Sequence, residues 1–87
     1  MPTVELFGQA RVLAGKRSLP VGGASVREVL RNLARSCPEL LGTVLQQDGQ
    51  LTPAYMLNLN GTQFMSDPDQ PVTAADELLI ISSLNGG

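Results

Sequence analysis

The sequence predicts an α+β fold, a mixed sheet of about five strands crossed by one main helix and a short second helix. Three observations predict it. Apolar, strand-like runs stand near both ends, Thr3-Val4-Glu5-Leu6-Phe7 and Glu77-Leu78-Leu79-Ile80-Ile81. A capped stretch with helical apolar spacing begins at Ser25, between them. Turn signals, Gly22-Gly23 and Asn60-Gly61, punctuate the shorter runs on either side.

Taken in order, Thr3 to Phe7 alternates and reads as a strand. Gly8 follows, and the segment to Gly15-Lys16 reads as a turn. Arg17-Ser18-Leu19-Pro20-Val21 reads as a second strand, with Pro20 suited to an edge or a strand end. Gly22-Gly23 closes it, so the two strands form a hairpin with a long loop. Ser25-Val26-Arg27-Glu28 is a capping box, in which the Ser25 hydroxyl takes the Glu28 N–H and the Glu28 side chain reaches back. Val26, Val29, Leu30, Leu33 and Ala34 then share one helix face, and Arg27, Arg31 and Arg35 share another. Pro38 stops this helix near Cys37. Glu39 to Gln47, with Leu40, Leu41, Val44 and Leu45, reads as the short second helix, against which Gly42 argues.

Tyr55-Met56-Leu57-Asn58-Leu59 reads as a strand, and Asn60-Gly61 as a tight turn. Thr62-Gln63-Phe64-Met65 pairs back across it. Pro68 and Pro71 mark residues 66–71 as loop, and Leu78 to Ser82 forms the final strand. A helix crossing between hairpins over a mixed sheet is the β-grasp arrangement. The first and last strands lie centrally and parallel, since a crossover this long is what parallel pairing requires. The expected organisation is one domain over residues 1–87 with a flexible C-terminal tail over 84–87.

Composition narrows the function. The chain has 87 residues, 43% hydrophobic and 16% charged, as expected of a small globular domain. With no Trp and only Phe7, Tyr55 and Phe64 as aromatics, aliphatic side chains must fill the core. No apolar run suffices for a membrane span. Met1-Pro2-Thr3 lacks the basic start of a signal peptide, and the single Cys37 has no internal disulfide partner, so a cytoplasmic location is expected. With no His, imidazole-based catalysis and Cys/His metal sites are excluded. Asp67/Asp69 and Asp76/Glu77 match no calcium-loop spacing and read as solvated acids. Gly22-Gly23 lacks the Lys-Ser/Thr of a phosphate loop, and Cys37 reads as a structural thiol beside Pro38. All six cations, Arg11, Lys16, Arg17, Arg27, Arg31 and Arg35, lie in the first 35 positions, whereas six of the eight acids follow Cys37. Such a split reads as solvated faces, or as an acidic half that steers a basic partner toward the tail. The acidic balance argues against nucleic acid as a partner.

The last four residues, Leu84-Asn85-Gly86-Gly87, directly follow an apolar strand. Two glycines accept almost any backbone conformation. Alone they read first as a frayed terminus; the other reading is a thin tail, about 10 Å long over Asn85 to Gly87, that threads a channel on another protein.

Together these features resemble the ubiquitin-like sulfur carriers, and most of all the small subunit of molybdopterin synthase. The resemblance rests on Val4-Glu5-Leu6-Phe7 followed by Arg11-x-x-x-Gly15, and on the helix opening Ser25-Val26-Arg27-Glu28-Val29-Leu30. It rests equally on Asn60-Gly61, Asp76-Glu77-Leu78 and Gly86-Gly87. It covers essentially the whole chain, and residues 38–53 favour the molybdopterin branch over the shorter thiamine-pathway carriers. The family's small subunit often has Pro-Pro where this chain has Ser82-Ser83. That departure leaves room for a carrier serving cysteine synthesis or tRNA thiolation, or for a protein modifier.

The resemblance implies a carrier and not a catalyst. A ubiquitin-activating-type enzyme would adenylate the Gly87 carboxylate with ATP, and a persulfide donor would convert it to a thiocarboxylate. Leu84, Asn85 and Gly86 would form the tail, and the partner would be a synthase large subunit in a heterotetramer. No cofactor would be bound. Parity supplies the docking face: Val4 and Leu6 point to one side, Glu5 and Phe7 to the other. Leu78/Ile80 and Leu79/Ile81 make both faces of the last strand apolar. Phe7 and Ile81, with Leu79, are therefore expected to form one exposed partner-binding patch beside Leu84.

Overall fold

The computed structural model describes residues 1–83. Five strands, β1 (Thr3–Leu6), β2 (Ser18–Pro20), β3 (Tyr55–Leu59), β4 (Gln63–Met65) and β5 (Glu77–Ser82), form one sheet in the order β2-β1-β5-β3-β4. β1 and β5 are central and parallel, with Thr3 opposite Glu77 and Leu6 opposite Ile80. β2, β3 and β4 pair with their neighbours antiparallel. This is the expected β-grasp sheet. The main helix, α2 (Val26–Ser36), packs Val26, Val29, Leu30 and Leu33 against the inward side chains of the sheet, among them Val4, Leu6, Leu78 and Ile80. The core is aliphatic apart from Cys37. No helix among the described residues is long and apolar enough to cross a membrane.

The start of α2 follows from its capping residues. The Ser25 hydroxyl accepts the Glu28 N–H at 3.2 Å. The Glu28 carboxylate reaches back one residue further than a standard box and accepts the Ala24 N–H at 3.0 Å. The hairpin of β3 and β4 turns through Asn60, which holds a left-handed φ of 59°, and Gly61. That pair suits the tight turn the sequence signals.

Two segments differ from expectation. Residues read as a turn form a helix, α1 (Gly8–Ala14), ending at Gly15. Gln9, Ala10, Arg11, Leu13 and Ala14 are good helix formers, and Ala10 and Ala14, four apart, are buried against the core. Two turns carry too few apolar positions to show a period. The short second helix over Glu39 to Gln47 is replaced by a single 3-10 turn, Pro38–Leu40. Gly42, at φ 93°, leaves helical space, and the chain then folds through isolated bridges of Leu45 with Leu41 and Leu51. Val44 and Leu45 are nevertheless fully buried. The apolar residues do reach the core, along a different backbone path.

Candidate docking face and tail root

Period-two alternation decides which side of the sheet is free. Leu78 and Ile80 are fully buried under α2, whereas Leu79 and Ile81 are half-exposed on the opposite side. In register with Leu79 stand Glu5 on β1 and Asn58 on β3. Phe64 on the edge strand lies opposite Asn58 and is 55% exposed. Ile81 pairs with Met56. Phe7 follows Leu6, whose strand partner is Ile80, so it stands beside Ile81 at the end of the sheet where β5 finishes. The structure thus brings Phe7, Leu79 and Ile81 to one side and adds Met56 and Phe64 to them. The tail residues Leu84, Asn85, Gly86 and Gly87 lie outside the described residues.

Phe7 is the N-cap of α1, in extended conformation. One helical turn later, the Arg11 guanidinium lies 5.4 Å from the centre of the Phe7 ring, a cation–π distance. Arg11 Nε donates to the Leu6 carbonyl at 3.0 Å, which fixes the group in place. Val12, next on α1, is 72% exposed. Neither α1 nor this stacking is visible in the strand pattern. The signal available was Arg11, four residues after Phe7, a spacing that has meaning only once the segment is known to be helical.

The root of the tail is held to the body. The Ser83 N–H donates to the Ala54 carbonyl at 2.8 Å, and the Ser83 hydroxyl donates to the Pro53 carbonyl at 2.9 Å. The Ser-Ser sequence at this point therefore ties the strand end to the loop entering β3. A proline at 83 would supply neither donor. Asn58, on the same side as Leu79, is only 7% exposed. Its Oδ1 is a buried acceptor with no donor among the described residues.

The remaining candidate groups are used locally. Asp76 accepts from Asn60 Nδ2 at 3.0 Å and from the Thr73 N–H at 2.8 Å. The Asn60 side-chain bond, then that from Thr73, holds its carboxyl below the usual carboxylate range. Asp67 accepts the Asp69 N–H, and Asp69 pairs with Arg27 at 3.2 Å. Among the described residues no group of three or more potential metal-ligating acids or thiols comes together. Cys37 is buried. Burial, and secondarily Glu39, pushes its thiol pKa up against the opposing effect of Lys16, so it is a poor nucleophile.

No protein-family model and no curated protein matches the chain. Solved structures do. SAMP1 of Haloferax volcanii is 27% identical with a TM-score of 0.83, over 99% of this chain and 98% of that one. The solution structure of the small archaeal modifier protein 1 of Methanosarcina acetivorans is 24% identical with a TM-score of 0.84, over 99% and 95%. CysO, in the Amycolatopsis orientalis BexX/CysO complex, is 19% identical with a TM-score of 0.80, over the full length of both chains. These neighbours bear out both the β-grasp fold and the resemblance to ubiquitin-like sulfur carriers.

Proposed function

We propose that this chain is a ubiquitin-like sulfur carrier, loaded at Gly87 and serving molybdopterin formation as the small subunit of a synthase. The observation that carries the reading is the relation of the tail's root to the patch. β5 ends in a root pinned at Ser83, on the strand that carries the half-exposed apolar residues Leu79 and Ile81. A partner that grips this surface receives the chain terminus in a fixed direction, which is what delivery of a reactive acyl group demands.

The chemistry belongs to Gly87. A terminal carboxylate, with a pKa of about 3.3–3.7, is an anion and a poor electrophile at neutral pH. Attack of one carboxylate oxygen on the α-phosphorus of ATP expels pyrophosphate and leaves an acyl adenylate. A persulfide sulfur then displaces AMP from the acyl carbon, and a second thiol reduces the resulting acyl disulfide to the thiocarboxylate. Every catalytic group in this sequence is supplied by the adenylating enzyme and the sulfur donor. This chain supplies the acyl terminus and the docking face. A large synthase subunit would accept the sulfur.

A second reading is favoured by the likeness to the small archaeal modifier protein 1 at 26–27% identity: Gly87 joined to lysines of other proteins. The same likeness, and that to CysO, leaves cysteine synthesis or thiolation of tRNA or thiamine precursors as alternative destinations for the sulfur. Intact mass of the protein from its native cell tests these readings. A gain equal to one oxygen replaced by sulfur at Gly87 supports the carrier. Adducts to other proteins without that gain support the modifier. A terminus beyond Gly87, or an unmodified carboxylate with no adducts to other proteins during active cofactor synthesis, overturns both.

A further inference from the structure

Folding gathers cations that are scattered in the sequence at the end of the sheet from which the tail departs. Leu6 is the hub. Its N–H donates to the Arg17 carbonyl at 2.8 Å, and its carbonyl accepts from Arg11 Nε at 3.0 Å. Leu6 pairs with Ile80, so Arg11 and the exposed pair Lys16-Arg17 stand beside the last residues of β5. Lys16 also acts on the Cys37 thiol, which brings the C-terminal end of α2, with Arg35, to this end. The acids here are Glu39, near the same thiol, and Glu5, one residue before Leu6.

The other end of the sheet has the opposite sign. Glu77 pairs with Thr3, and Asp76 accepts the Thr3 N–H through its carbonyl. Glu28 lies in the first turn of α2, and Asp69 pairs there with Arg27. From Glu77 to Ser82 the strand spans about 17 Å. That is about two Debye lengths at physiological salt, so the field of the far acids falls to roughly one-seventh at the tail root. The net charge of −2 is therefore not the charge a partner meets at this end. The expectation of an acidic half steering a basic partner to the tail followed sequence halves, whereas the fold sorts charge by sheet end.

We propose that the tail-bearing end docks on an acidic protein surface, with Arg11, Lys16 and Arg17 facing carboxylates that flank the opening the terminus enters. The inference rests on the carrier reading and names the chemistry of its partner. Arg11 is the positioned member. Its Nε is committed to Leu6 and its guanidinium carbon lies over the Phe7 ring, leaving its terminal nitrogens, among the described residues, to grip a carboxylate in the forked geometry guanidinium favours. Because the group is already held, little ordering remains for docking. Phe7 supplies the apolar contact and Arg11 the charge, side by side.

The test uses hexaglutamate as the acidic probe, titrated at low salt into the isotope-labelled full chain and followed by amide chemical shifts. Shifts centred on Phe7, Arg11, Lys16 and Arg17, lost at least tenfold in affinity in the Arg11→Glu/Arg17→Glu double variant and unchanged in Asp76→Lys, are expected. Shifts centred on Arg27 and Arg31, shifts spread evenly over all cations, or no binding would overturn the proposal. In ATP–pyrophosphate exchange by the adenylating enzyme, the double variant should lose at least tenfold in kcat/KM while saturated turnover is retained. An unchanged kcat/KM would likewise overturn it. If the probe fails while Gly87 carries sulfur in the cell, the acidic-surface proposal falls and the carrier stands. If the probe binds as expected and no sulfur is found, the carrier reading falls instead.

Discussion

The Arg11 guanidinium carbon sits 5.4 Å from the centre of the Phe7 ring, and this contact joins the end of the first strand to the helix α1 that follows it. It makes Phe7 a rigid, half-buried anchor rather than a loose exposed ring. Phe7→Ala should weaken association with the adenylating enzyme by about 2 kcal/mol or more, as loss of an interface anchor does. Ile81→Asp, made separately, should do the same. Both variants should keep a near-normal Tm, because neither side chain belongs to the buried cluster. Titration calorimetry and thermal unfolding together check this. If either variant unfolds, that residue supports the core and the assigned docking face is wrong.

The tail tests the carrier chemistry without touching the fold. Deleting Gly87, or adding one residue after it, should leave Tm unchanged, since terminal residues contribute little stability. ATP-dependent activation by the adenylating enzyme should vanish in both. Gly86→Val should also be poor, because a β-branched side chain widens and stiffens the tail. Undiminished activation of the shortened protein would remove Gly87 from its role.

Strand parity was legible because it is a two-residue period that Val4, Leu6, Leu78 and Ile80 keep without exception; the outward placement of Phe7, Leu79 and Ile81 follows from it. The capping box at Ser25 was legible because its signal is local. What escaped depends on contacts between distant segments. α1 is two turns long, and Ala10 and Ala14 declare their burial only once the core is formed. Residues 41–52 bury Val44 and Leu45 through isolated bridges, a path that no period encodes. Charge too is placed by contacts between distant segments: the acids Asp76 and Glu77 stand beside Thr3, far from them in sequence and adjacent in the sheet.

Gly23 carries a strict steric requirement. Its φ is 149°, and a Cβ there would meet the Val29 nitrogen at 2.7 Å and the Val29 side chain at 2.8 Å. The neighbour is helix backbone, which cannot give way cheaply. Gly23→Ala should therefore destabilise the domain by more than about 1 kcal/mol, opposite in sign to a strain-free Gly→Ala change. Gly22→Ala is the control, since a Cβ there meets only the flexible end of Met1 at 3.5 Å. Urea unfolding of the pair checks the difference.

Acid should act through Asp76. Its pKa is lowered in the folded state, first by the Asn60 side-chain bond and then by Thr73. A depressed carboxyl stabilises the fold above its unfolded pKa, near 3.8, and that contribution is lost as pH falls through the folded value. Asp76→Asn should lower Tm at neutral pH, and the difference from the unchanged protein should close as the solution is acidified below pH about 4. A difference independent of pH would show that the bonds, not the charge, carry the effect.

Asn58 sets stability against docking. It occupies an outward strand position between Leu79 and Phe64, yet is 7% exposed, with no donor to its Oδ1 among the described residues. A buried acceptor without a donor costs about 1–3 kcal/mol, whereas an apolar group of similar shape removes that cost. Asn58→Leu should therefore raise Tm in the isolated domain. On the docking face, a partner that displaces the side chains covering this oxygen and donates to it would repay the cost only in the complex. The variant should then bind the adenylating enzyme or the acceptor subunit more weakly while unfolding at higher temperature. A calorimetric Kd measured alongside Tm gives the answer. A rise in both stability and affinity would show that Asn58 is outside the interface, and a fall in stability would show that its amide is satisfied in solution.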